Sequence, residues 1–320
     1  MHERTPSATP TALADRAEPG AAGPAPEPTP EIAPATVARQ IPTRRVSFDA
    51  ALAEMPKHFA DEGDLMLSHI FASMSAFFPD GEDYFVRCVR RFRDEITDPE
   101  LSAQVAGFIG QEALHGRQHR AFNQRLGELG YPTPVFERIT KRILATRERV
   151  MTDKGNLAAT AALEHFTATF AELVLTDDQV RLAPGDDAVR DLFLWHALEE
   201  SEHKAVAFDV YRAVGGSERT RVLTMKGLRI GFIVALTVQV AVSLAGDKAS
   251  YERGRLRASG RRLRSSPALR REMWDQLREY DRVGFHPDDR DTTELVDAWK
   301  ERLFGAEGSL NRRLAGRSAA

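Results

Sequence analysis

His196-Ala197-Leu198-Glu199-Glu200-Ser201-Glu202-His203 is the stretch on which the reading of this chain turns. It lies in a run, Ala188 to Val214, whose apolar spacing predicts a long helix closed by Gly215-Gly216. A helix turns about 100° per residue, so His196, Glu200 and His203 fall inside an arc of about 60°. Upstream, Glu112-Ala113-Leu114-His115 repeats the Glu-x-x-His spacing inside a second predicted helix, Glu100 to Leu129. Residues three apart on a helix share a face, so each string points a carboxylate and an imidazole at one place. Two such strings, with one glutamate from each of two further helices, form the ligand set of a dinuclear carboxylate site in a four-helix bundle. Glu82, opening a predicted helix to Phe92 after a break at Pro79-Asp80-Gly81, and Glu164, midway along Asn156 to Thr176, supply those glutamates.

The expected metal ligands are therefore Glu82, Glu112, His115, Glu164, His196, Glu200 and His203. Burying a carboxylate without a partner is expensive, which makes Glu164, set among Ala161, Ala162, Leu163 and Phe166, a ligand rather than a spectator. His119 returns to within about 20° of Glu112 and reads as a supporting partner or an extra ligand. Glu172, eight residues beyond Glu164, reads as a supporting carboxylate; Glu199 and Glu202 read as solvated or supporting. With Cys88 as the sole cysteine, the site must be built from nitrogen and oxygen. Such donors suit two ions of iron, or of manganese or zinc, and not an iron–sulfur cluster.

A net charge of -3 gives no basic stripe of the kind that nucleic acid requires. The lone cysteine fits a reducing cytoplasm. There is no Gly-rich phosphate loop, no Gly-x-Ser-x-Gly elbow and no His-Glu-x-x-His. Residues 1–45 are rich in Pro, Ala, Thr and Glu, lack the apolar core of a secretion signal, and are expected to be a disordered tail. Residues 46–216 are expected to form the metal-binding bundle, 217–310 additional helices, and 311–320 a second tail. Pro132 and Pro134 read as the stop after the Glu100 helix, and Phe136 to Thr152 as the next helix.

Ile230 to Gly246 is a run of 17 residues without a charge, at the lower limit for crossing a bilayer. Its Thr237, Gln239 and Ser243 favour a buried or cavity-lining helix; contact with a membrane is the other reading. The arginine-rich segment that follows, Tyr251 to Ser266, makes 230–266 a candidate membrane-surface contact.

Phe78-Pro79-Asp80-Gly81-Glu82, Gly110-Gln111-Glu112-Ala113-Leu114-His115 with His119, Leu163-Glu164-His165-Phe166, and Trp195-His196 through Lys204 together resemble the bacterial family described as predicted metal-dependent hydrolases. The resemblance runs from about Val46 into the 270s and implies an all-α, ferritin-like four-helix bundle with a dinuclear metal site and additional C-terminal helices. His-x-x-x-Glu-x-x-His is also similar to the pattern in p-aminobenzoate N-oxygenase-type enzymes, which implies the same seven ligands. The ligand set points first to a di-iron oxidase or oxygenase that uses dioxygen and an electron donor on a small organic substrate. The family description implies the alternative, hydrolysis by a metal-activated water; a non-enzymatic metal-binding protein is the third reading.

Overall fold

The computed structural model describes residues 41–315. In chain order its helices are α1 (Asp49–Leu52), α2 (Leu65–Ser75), α3 (Phe78–Arg90), α4 (Pro99–Glu128), α5 (Thr133–Val150), α6 (Asp153–Thr176) and α7 (Asp178–Leu182). They continue as α8 (Asp187–His203), α9 (Val206–Ala213), α10 (Glu218–Ala245), α11 (Arg255–Arg264), α12 (Arg271–Glu279) and α13 (Thr293–Phe304). The fold is all-α, and an isolated antiparallel bridge, Val46–Leu314, is the extended pairing among the described residues.

Local chemistry sets the helix starts. Asp98 accepts from the Glu100 amide and Pro99 takes the first position of α4, where its missing N–H costs nothing. Thr152 and Asp186 cap α6 and α8 in the same way. Gly130, at φ 91°, ends α4 in a left-handed turn that a side chain would strain. Two prolines read from sequence as breaks instead fall in first turns. Pro79 lies inside α3, so Glu82 stands in its second turn rather than at its start. Pro134 lies inside α5. The predicted Ala188–Val214 helix breaks after His203, where the Lys204 ammonium reaches the Arg290 carbonyl at 2.6 Å.

Helices α3, α4, α6 and α8 close a ring, each packed on two others. Two apolar clusters hold it. One gathers Phe48, Phe59, Phe122, Trp195 and Trp299; the other gathers Tyr84, Phe108, Leu157, Phe208 and Tyr280. Along α4, Phe108 belongs to the second and Phe122 to the first, and the polar turns from Glu112 to His119 lie between them. The polar centre thus sits at the seam of two cores whose burial supplies the stability it consumes.

The C-terminal helices share these cores instead of forming a separate body. Arg221 is fully buried on α10 and donates to the carbonyls of Tyr280 and Arg282, among the rings of Phe208, Tyr280 and Phe285. At the other end, residues expected to be tail are tied down. Ser47 N donates to Arg313 O (3.0 Å), Ala315 N to Arg45 O (2.7 Å), and Arg313 pairs with Asp191. Residues 41–43 lie against α4, where a Cβ on Gly107 would stand 2.5 Å from the Ile41 carbonyl and one on Gly110 would stand 2.3 Å from the Thr43 hydroxyl. The rest of the expected tails, 1–40 and 316–320, lie outside the described residues.

Helix α10 departs from the favoured expectation. Arg221, Met225, Gln239, Val240, Ser243 and Leu244 are buried, but Ile230, Val234, Val238 and Val242 are 67%, 56%, 54% and 52% exposed. It is long and apolar enough to cross a membrane, and most of its apolar stretch is exposed rather than buried or cavity-lining. Helices α2 and α6 pack against α10 and leave this stripe uncovered.

Candidate metal centre

The ring of four helices brings all seven expected ligands to one point: Glu82 from α3, Glu112 and His115 from α4, Glu164 from α6, and His196, Glu200 and His203 from α8. None is more than 4% exposed. Donor atoms of Glu112, Glu164 and His203 lie within 4.8 Å of one another, as do those of His115, His196 and Glu200, and those of Glu82, Glu112 and His115. Glu112 and His115 each belong to two of these sets, and a further set joins Glu82 and His196 with His119. Glu112 Oε1 is 3.1 Å from His203 Nε2 and 3.5 Å from His115 Nδ1. Glu200 Oε1 is 2.8 Å from His196 Nε2 and 3.6 Å from His115 Nδ1. Gly116 leaves room for Glu82, since a Cβ there would stand 3.2 Å from its Oε2.

These inward atoms lack hydrogen-bond partners. Both carboxylate oxygens of Glu82, Glu112 and Glu164, with Glu200 Oε2, His115 Nδ1 and His203 Nε2, are buried and unsatisfied. Folded proteins avoid such groups because each costs about 1–3 kcal/mol. Donors of this kind, aimed at common points, fit cations that would satisfy them together.

The outward ring nitrogens are, by contrast, all engaged. His115 Nε2 meets Glu199 Oε2 at 3.1 Å, His203 Nδ1 meets Gln111 Oε1 at 2.8 Å, and His196 Nδ1 meets His119 Nε2 at 2.7 Å. Behind them, Arg44 bonds Glu199 (3.1 Å) and Glu202 (2.7 Å), Gln111 bonds Glu202 and the Pro42 carbonyl, and Ser75 bonds His119. Such partners orient a ligating imidazole and fix which nitrogen faces the metal. The rings of Phe78, Phe108 and Trp195 pack on His196, His203 and His115 at 4.9, 5.0 and 4.9 Å and complete the dry wall.

Charge is divided unevenly. Burial, with the nearby Glu112 charge, holds the Glu82 carboxyl well above the usual range and pushes Glu164 up to about 8. Against burial, His203 and His196 pull Glu200 well down, and Glu112 and Glu199 lift His115 to about 10. Burial also lowers His196 and His119, so His119 serves His196 as a neutral ring.

His119 thus lies behind His196, bonded to its outer nitrogen. Glu172, read as a supporting carboxylate, does not join the site. Eight residues rotate it about 80° from Glu164 and carry it about 12 Å along α6. It pairs instead with Arg290 and Gln276. Glu199 and Glu202 are buried, not solvated. Arg44 and Gln111 were missed: Arg44 falls in the stretch read as tail, and Gln111 next to Glu112 points to the opposite wall. His58, His69 and Asp247 were also missed. Asp247 Oδ2 lies 2.9 and 3.1 Å from the two imidazoles and 3.1 Å from Lys57, while Arg255 donates to the other nitrogen of His58. Its donors are already paired, which makes it a polar latch between α2 and the end of α10.

The wall behind the ligands is testable. Glu199→Gln keeps the volume but removes the anion that His115 and Arg44 share. Loss of such a partner typically weakens metal binding about 10–100-fold. Competition against a graded series of chelators measures it; an unchanged affinity would deny Glu199 any part in holding His115.

The fold and this centre define an all-helical protein with a buried carboxylate–histidine cluster that could hold metal. The profile of the family described as predicted metal-dependent hydrolase matches residues 42–291, and the chain belongs to that family. No curated protein and no solved structure matches it.

Proposed function

We propose that this chain is a hydrolase whose reactive group is a pair of divalent cations held by Glu82, Glu112, His115, Glu164, His196, Glu200 and His203. The observation that carries the reading is the set of buried, unpartnered donors that converge from four helices. Four carboxylates balance the charge of two divalent ions, which argues for a pair over a single ion. Bound there, such ions supply Lewis acidity and bring a water molecule toward a pKa of about 7. Glu82 and Glu164 hold protons in the metal-free chain and would shed them as ligands. Glu112, shared by two donor sets, would hold metal at the centre of the cluster. Glu199 and Gln111 keep His115 and His203 facing inward, and Phe78, Phe108 and Trp195 keep bulk water out. The family description supports hydrolysis as the reaction.

A second reading, dioxygen-dependent oxidation of a small organic substrate by two irons, is favoured by the enclosure of a carboxylate-rich helical site whose ligands are almost wholly buried. It agrees with the N-oxygenase-like His-x-x-x-Glu-x-x-His string. Anaerobic loading of the full chain with Fe(II), Mn(II) or Zn(II), desalting and elemental mass spectrometry test the shared premise. Close to two metal ions per chain is expected; one or none would remove the dinuclear centre. Turnover of ester, amide or phosphodiester panels without oxygen, with zinc or manganese bound, supports hydrolysis. Oxygen uptake that requires iron and a reductant, with no anaerobic turnover, would replace it by the second reading.

A further inference from the structure

We propose that the exposed face of α10 and the arginines that follow it form a docking surface for an anionic lipid membrane. The apolar half of this surface is the stripe Ile230, Val234, Val238 and Val242, more than half exposed at every position. These residues recur every fourth position, so they line one side of the helix over about 18 Å. From Arg219 to Gly246 the chain contains no acidic residue.

The charged half is α11 and the turn before it. On α11, Arg257, Arg261 and Arg264 recur at spacings of four and three and share a face, and Arg253 joins them from the turn before the helix. They line a surface hollow of about 730 Å³ together with Tyr251 and Leu256. The one acid in its lining, Glu252, is paired with Arg255. Arg262 pairs with Glu62, but among the described residues no acid pairs with the four that line the hollow. Helices α10 and α11 both pack on α2, which holds the apolar stripe and the arginines in one fixed relation.

Apolar side chains beside unpaired cations suit the boundary of an anionic leaflet, where the stripe enters the acyl region and the arginines meet phosphate. The helix lies on the surface and does not cross it. Its other side is committed to the protein through Arg221, Met225, Gln239, Val240, Ser243 and Leu244, and Arg229 pairs with Asp281. A second copy docked by the same face would set its own arginines against these.

The test is co-sedimentation of the full chain with vesicles of phosphatidylcholine alone or mixed 7:3 with phosphatidylglycerol, at low salt and at high salt. Arg257→Glu with Arg261→Glu reverses the charge, and Val234→Asp with Val238→Asp breaks the apolar stripe. All four positions are exposed, and circular dichroism checks the fold. Binding to the anionic vesicles is expected, weakened by salt and at least tenfold weaker in each double variant. No binding to anionic vesicles would overturn the proposal. So would equal binding to pure phosphatidylcholine that the arginine reversals leave unchanged. A concentration-dependent dimer that Val234→Asp with Val238→Asp dissolves, without vesicle binding, would reassign the face to self-association.

Discussion

Glu112→Ala is expected to cost the chain most of its metal while leaving its helix content intact. Glu112 belongs to two donor sets, one with Glu164 and His203, the other with Glu82 and His115. No neighbouring side chain can take its place, because Gly116, one turn on, has no side chain and Gln111 is already bonded to His203, Glu202 and Pro42. Loss of a donor from one set would weaken metal binding there; loss of a donor shared by two sets would weaken it in both. Metal per chain should therefore fall from near two to well under one under loading that fills the wild type. His196→Ala should do less, removing one ligand whose outer partner, His119, remains. Elemental analysis after desalting decides both. Full occupancy in Glu112→Ala would falsify the assignment of the centre.

Metal removal is the second large effect. The metal-free fold buries four carboxylates whose oxygens are mostly unpartnered, and any cation bound there stabilises the native state alone. At a thousand times the dissociation constant this linkage is worth about 4 kcal/mol, or about 10 °C in melting temperature for a chain of this size. Chelator-stripped protein should melt lower by that order and recover on adding metal. The deficit should grow with pH. Glu164 (about 8) and His115 (about 10) both sit above their ordinary values, so the folded chain holds protons that the unfolded chain has released. Stability from such groups is present at low pH and lost as pH rises through the folded values. Between pH 6.5 and 8 each contributes a loss of up to about 1.4 kcal/mol per pH unit. Bound metal replaces those protons, so the loaded protein should lack this decline, and metal affinity should rise over the same range. Melting curves of both forms from pH 6.5 to 8 check the sign; a metal-free form that grows more stable with rising pH would contradict the electrostatics described here.

The convergence of the candidate ligands on shared helix faces was legible because its signal is local. Glu-x-x-His and His-x-x-x-Glu-x-x-His state, through the helical period alone, which side chains share a face. Glu164 stood out as a carboxylate in apolar company. Glu172 was misjudged because 80° of rotation passes for alignment over one turn, whereas eight residues also separate the groups along the axis. Pro79 was misread because a proline serves a helix start as readily as a helix end.

What surrounds the ligands is not local. Glu199 points outward from the ligand face of α8, and sequence could not tell water from a wall on that side; the wall is Arg44, contributed from 155 residues away. Likewise, Gln111 meets a histidine 92 residues distant and a carbonyl of the entry segment. The Ile230–Gly246 run could as well have been covered. Composition states how much apolar surface a helix owns, but only the packing of α2, α6 and α10 leaves one side bare. The chain thus carries in its residue order the all-α class, the seven candidate donors and their chemistry, since these follow from period and residue type over single turns. Closure of four helices on one point, the hydrogen bonds that orient each imidazole, and the exposed face of α10 arise from contacts between residues far apart in sequence, where no short-range pattern exists to be read.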